Sequence, residues 1–194
     1  MRAEEYKIPH NRQTCPLCVI VNVPTNLTDF EKISHLIRFG LSFRKMTTNV
    51  ITGWAYKKIN EQTYDAVFSD LATAETKNKI IEVLSGKVVW KYNDREIRNL
   101  ILSYYKKYLI SNPTLWMDIE KELTEYFQYS DFENGNDRLQ DFLYYLTDDW
   151  NLRKDGFSGL LTMPEYLADN LSEYNGYHKL KELLKEQGLA GYEV

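Results

Sequence analysis

From Asp94 onward the chain repeats one pattern, in which apolar and aromatic side chains return every three or four residues: Ile97, Leu100, Ile101, Tyr104, Tyr105 and Tyr108 come first. That spacing places them in one stripe of a helix with 3.6 residues per turn. It predicts an amphipathic helix of about sixteen residues that must bury the stripe against something else. Asn112 and Pro113 then restart the chain. Proline suits a first helical turn, where its missing N–H is no loss. Leu115, Trp116, Ile119, Leu123 and Phe127 form the next apolar face, and Leu139, Phe142, Leu143, Leu146 and Trp150 a third after Asn134 and Gly135. The KDGFSG turn at 154–159 separates these from two shorter helices near 164–173 and 177–187. Successive helices with one apolar face each satisfy it by packing on their neighbours.

The first half of the chain has a different character. CPLCVIVNV, residues 15–23, is short and rich in β-branched side chains and is closed by Pro24, which reads as a largely buried strand. Thr28 followed by Glu31 makes a capping box for a helix lined by Phe30, Ile33, Leu36 and Ile37, with Gly40 as its stop. Val50, Thr52, Trp54 and Tyr56 alternate with Ile51, Gly53 and Ala55, a period of two that predicts a second strand within 41–59. Thr73 is placed to cap a helix carrying Ile80, Ile81 and Leu84 and ended by Ser85 and Gly86, and KVVWKY at 87–92 reads as a third strand. The expected fold class is α+β and helix-rich, with a small N-terminal β portion and its helices followed by a mainly helical C-terminal half. No Pro, Gly or Ser linker marks the change near residue 93. The expectation is therefore a single domain over 1–194, with a possible subdivision into a mixed part, 1–92, and a helical part, 93–194.

A chain of 194 residues with 43% hydrophobic and 14% aromatic side chains and a net charge of -4 has enough apolar surface for a core and too little charge to hold itself open. The first residues, MRAEEYKIPHNRQ, lack the apolar run of an export signal, and Glu4 and Glu5 are foreign to a transit peptide. Leu17 to Val23 is far shorter than the ~20 residues a membrane span needs. Two cysteines are too few to staple such a chain. A cytoplasmic protein without a membrane span is the expectation.

Charge divides along the chain. Residues 77–108 hold eight basic and three acidic side chains, and residues 109–150 hold two basic and ten acidic. The basic segment interleaves Lys87, Lys91, Arg95, Arg98, Lys106 and Lys107 with Trp90, Tyr92, Tyr104 and Tyr105, a mixture able to hold phosphates and stack bases. The same tyrosines also belong to an apolar helical stripe, and the cations have acidic neighbours to pair with. In the acidic segment Asp118, Glu122 and Glu125 share one side of their helix, and Asp137, Asp141 and Asp148 one side of the next. Such faces either keep a protein soluble or meet a basic partner.

Motifs for chemistry are sparse. Cys15 and Cys18 are spaced to grip one zinc ion, with His10 and His35 available to complete a tetrahedron, but no second close pair is present. A thioredoxin-like use of the pair is disfavoured because the expected strand follows it rather than precedes it. Gly156-Phe157-Ser158-Gly159 is not a hydrolase elbow, and neither a dinucleotide fingerprint nor a phosphate-cradling P-loop occurs. Asp65 or Asp70 with Glu75-Thr76-Lys77 is a poor match to a metal-dependent nuclease, and Asp141, Asp148 and Asp149 are acids of a kind common after amphipathic helices.

With no complete catalytic constellation, the sequence favours a non-enzymatic protein-binding module, such as a small acidic regulator or inhibitor of the kind mobile elements encode. It would present Asp118, Glu122, Glu125, Asp137, Asp141 and Asp148 to a partner with a basic surface. Charge reversal at the first three is expected to spare folding and weaken that partner. The alternatives are a nucleic-acid-binding protein using 87–107, with a small zinc site, and a metal-dependent enzyme using clustered carboxylates. No cofactor is expected unless that zinc site exists.

Overall fold

A computed structural model describes residues 27–61, 65–90, 94–128 and 162–192, together with Asp148, Asn151, Leu152 and Asp155. The elements are α1 (Asp29–Ser42), α2 (Thr48–Asn60), α3 (Ala66–Ala72), α4 (Lys77–Ser85), α5 (Arg95–Ser111), a 3-10 turn (Pro113–Leu115), α6 (Trp116–Gln128), α7 (Met163–Asn170) and α8 (Tyr177–Gln187). This overturns the expected α+β class: among the described residues every regular element is helical and there is no strand.

Two segments account for the correction. Residues 50–56 lie within α2, where Thr47 caps the helix by accepting from the N–H of Val50 and where Ile51, Trp54 and Ala55 are the buried positions. Those three stand at i, i+3 and i+4, so a helical stripe was present within the apparent alternation. Residues 88–90 carry no regular structure and belong to no sheet among the described residues, although Val88 is buried and Val89 exposed as a strand would have them; positions 91 and 92 of the expected strand lie outside the described residues. Their alternation is a local property, whereas a ladder requires a neighbour. The expected strand at 15–23 and the helix after Asn134 lie outside the described residues, apart from Asp148.

Helix α5 is the centre of the molecule. Asp94 caps it, its carboxylate accepting from the N–H groups of Glu96 and Ile97 at 2.9 and 3.1 Å. Its stripe is buried as the periodicity requires, with Ile97, Leu100, Ile101, Tyr104 and Tyr105 all inside, and it packs against α1, α6, α7 and α8. Helices α2, α3 and α4 follow one another as a second group, closed back onto α1 by α4. Thr76, rather than Thr73, caps α4 by accepting from Lys79 N–H. The capping box of α1 forms as expected, with Thr28 N–H donating to Glu31 Oε2 at 2.7 Å and Glu31 N–H to Thr28 Oγ1 at 3.2 Å. Lys32 of α1 reaches Glu96 of α5 at 2.9 Å.

Gly40 does not stop α1. It lies buried inside the helix, where a Cβ would come within 2.8 Å of Met46 Cγ. The helix closes beyond it, with the N–H groups of Lys45 and Met46 both donating to Gly40 O, at 2.7 and 3.1 Å, while Arg44 takes a left-handed backbone with φ 58°. This is the usual hydrogen-bonded stop of a helix, with arginine at the position glycine prefers.

The core between α1 and α5 is aromatic. Phe39 meets Tyr105 and Tyr126 edge-on and stacks on Tyr192, which also meets Tyr104 edge-on. Tyr192 arrives there because Gly188 ends α8 in a left-handed conformation and the chain turns back, so that its hydroxyl donates to Leu36 O at 2.6 Å. Burial pushes the phenols of Tyr104, Tyr105 and Tyr192 up from the ordinary value, and that of Tyr174 up to about 12. An unfolded tyrosine ionises near pH ~10. Above that pH the folded chain keeps protons that the unfolded chain has lost, so stability falls as pH rises. Chemical denaturation is expected to show full stability below pH ~10 and a progressive loss above it; equal stability at pH ~9 and ~11 would contradict this burial.

Candidate functional site

The turn after α1, the end of α5 and the start of α6 enclose an open cleft of about 400 Å³. Phe43, Tyr108, Leu115 and Ile119 give it apolar walls, and Arg44, Lys45, Asp118, Lys121, Glu122 and Glu125 give it charge. Helical spacing brings the α6 residues to one wall, since positions 118, 121, 122 and 125 fall at steps of three and four.

Glu122 belongs to the scaffold of the cleft. Its carboxylate accepts from Lys45 Nζ at 3.1 and 3.3 Å and from the Tyr105 hydroxyl at 2.7 Å, and the Lys45 ammonium lies 4.8 Å from the centre of the Tyr108 ring. Lys45 and Glu122 are 14% and 23% exposed and Tyr105 is fully buried, so this is a partly desolvated network in which each group satisfies another. Burial first, and the neighbouring Glu122 carboxylate second, hold the Tyr105 phenol well above its ordinary value, so it stays a donor. Arg44, Asp118, Lys121 and Glu125 are different. All four are exposed, and none makes an ion pair or side-chain hydrogen bond among the described residues.

Of the acids expected to meet a partner, the structure therefore brings Asp118, Glu122 and Glu125 to one cleft. Asp148 is exposed, while Asp137 and Asp141 lie outside the described residues. The basic segment is not gathered in the same way. Trp90 is half-buried, donating to Ser85 Oγ at 2.9 Å, meeting His35 edge-on at 5.2 Å and lying under the Arg38 guanidinium at 4.7 Å. Lys106 is held by Ser172 O, Tyr174 O and Asn175 Oδ1 at 2.7, 3.3 and 3.0 Å, where it satisfies carbonyls beyond the end of α7. Lys87 lies 3.8 Å from Asp65, Arg98 is half-buried, and Lys91 is outside the described residues. Arg95 and Lys107 are exposed on α5, twelve residues apart and so about 18 Å along its axis.

His35 is buried within α1 against Trp90, and its companions in the expected zinc site, Cys15, Cys18 and His10, lie outside the described residues. No group of three metal-ligating side chains is present among the described residues. Asp65 caps α3 by accepting from Val67 N–H, a local duty at a helix end, while Glu75 and Lys77 are exposed on either side of Thr76, the cap of α4. No described helix is long and apolar enough to cross a membrane.

Arg44, Lys121, Phe43 and Tyr108 were not singled out as site residues by the sequence. With Gly40 expected to stop the helix, Phe43 and Arg44 fall in the 41–59 stretch expected to hold a strand, and no local signal ties them to α6. No family model matches the chain, nor does any curated protein or solved structure.

Proposed function

We propose that the protein is a non-enzymatic protein-binding module of the cytoplasm, an acidic regulator or inhibitor that receives a partner with a basic surface on the α6 face and the cleft beside it. The observation that supports this most is that Asp118 and Glu125 reach the same cleft with no partner of their own among the described residues, while Glu122 holds the wall between them. Acids exposed at the rim of a preformed concavity attract the basic groups of a partner that docks there and help select it. The nucleic-acid reading has less support, because Trp90 and Lys106 are engaged within the chain and the remaining exposed cations are dispersed. No cofactor is needed for the proposed role.

The test is the double variant Asp118→Lys, Glu125→Lys, compared with the native chain in affinity purification from the source cell with quantitative identification of what is bound. Both residues are exposed, so thermal stability should stay within about 0.5 kcal/mol. A specific protein partner should be recovered with the native chain and fall about tenfold or more with the variant. Recovery indifferent to the double reversal would eliminate the reading. Recovery of nucleic acid in a steeply salt-dependent manner would put 87–107 first.

A further inference from the structure

We infer that the cleft between the α1–α2 turn and α6 takes an extended segment of a partner protein that carries a basic and an acidic side chain on either side of an apolar one. The inference rests on the reading of the protein as a protein-binding module and narrows what it binds.

The charges of the rim that are unpaired among the described residues are Asp118 and Glu125 on one hand and Arg44 and Lys121 on the other. They sum to zero. A basic group entering the cleft gains from Asp118 and Glu125, but a uniformly basic segment would also meet Lys121 between them and Arg44 in the turn, so it would use only part of the rim. Along α6 the order is negative, positive, negative over seven residues, about 10 Å of helix. Lys121 could have reached either neighbour, since it stands three residues from Asp118 and four from Glu125, yet it makes no ion pair with them. A segment with charges of both signs gains from all four groups, and its apolar residue lies over Phe43, Leu115 and Ile119.

Size and rigidity agree with such an occupant. A volume of about 400 Å³ matches a few residues of extended chain and falls at the small end of ligand sites. The walls are held before any partner arrives: Glu122 ties Lys45 to Tyr105, and the hydrogen bonds to Gly40 O fix Arg44 in its left-handed backbone. A site already ordered loses less conformational freedom on binding.

The test is selection of a displayed random dodecapeptide library on the full chain, with recovered peptides synthesised and their affinities measured against variants. The expected peptides carry Lys or Arg and Asp or Glu within a few positions of an apolar residue. They should lose about tenfold in affinity on Glu125→Lys and about tenfold on Arg44→Glu, because each reversal replaces attraction by repulsion of similar size. Arg44→Gly serves as the folding control, since glycine suits the left-handed backbone; it should weaken the same peptides while leaving thermal stability equal or higher. Peptides enriched in Lys and Arg alone and indifferent to Arg44→Glu overturn the inference but leave the acidic-face reading standing. Peptides indifferent to Asp118, Glu125 and Arg44 alike, or no enrichment at all, overturn both.

Discussion

Tyr192→Ala is expected to lower folding stability by about 4 kcal/mol, within the range of about 3–5 kcal/mol seen when a large buried aromatic is truncated. The ring is 3% exposed and stacks on Phe39 with centroids 5.8 Å apart, while Tyr104 meets it edge-on at 5.1 Å. Its neighbours belong to α1 and α5, which cannot close the gap without shifting the helices that define the core. The residue also has a left-handed backbone, φ 57°, after Gly191 at φ 139°, so packing of the side chain holds an otherwise disfavoured conformation. Removing the side chain should release residues 189–192 as well as leave a cavity. Tyr192→Phe keeps the stack and loses the hydrogen bonding of the hydroxyl, chiefly that to Leu36 O, a change of about 1 kcal/mol. Urea denaturation followed by near-ultraviolet circular dichroism distinguishes the two variants. A loss below about 1 kcal/mol for the alanine variant would show that Tyr192 is not a member of this core.

The sequence made α5, α6, α7 and α8 legible because their signal is local and redundant. In α5 the stripe from Ile97 to Tyr105 and the cap at Asp94 agree with one another, and the element was read within a residue or so of its limits. The same logic failed at 50–56, where β-branched residues and an apparent period of two outweighed the i, i+3, i+4 set of Ile51, Trp54 and Ala55. Intrinsic β preference is a weak prior that packing overrides. A glycine after an apolar stripe is an ordinary helix stop, but at Gly40 the missing Cβ serves the close approach of Met46. Tyr192 carries no local sign of burial, since its partners on α1 and α5 are some 90 to 150 residues away. At the candidate site, helical spacing placed Asp118, Glu122 and Glu125 on one side of α6. It could not separate them, because what distinguishes Glu122 is Lys45, 77 residues earlier in the chain.

That distinction yields the second large effect, a split among three acids that look equivalent in sequence. Glu122→Lys is expected to cost about 2–3 kcal/mol. It sets a second ammonium beside Lys45 and leaves the buried Tyr105 hydroxyl without its acceptor, and an unsatisfied buried polar group alone costs about 1–3 kcal/mol. The penalty should stay below the ~3–5 kcal/mol of breaking a fully buried pair, because Lys45 and Glu122 retain 14% and 23% exposure. Glu122→Gln keeps an oxygen for one donor and should cost about 1 kcal/mol. Asp118→Lys and Glu125→Lys, whose side chains touch no charged group among the described residues, should each stay within about 0.5 kcal/mol of the native chain. Reversing all three acids together would thus mix unfolding with any loss of binding, and the double reversal at 118 and 125 is the informative variant. A double-mutant cycle of Lys45→Met with Glu122→Gln, measured by urea denaturation, isolates the pair: a coupling of about 1 kcal/mol is expected for a partly desolvated ion pair. Coupling near zero, with Glu122→Lys as stable as Glu125→Lys, would place Glu122 among the exposed acids and remove the scaffold role assigned to it.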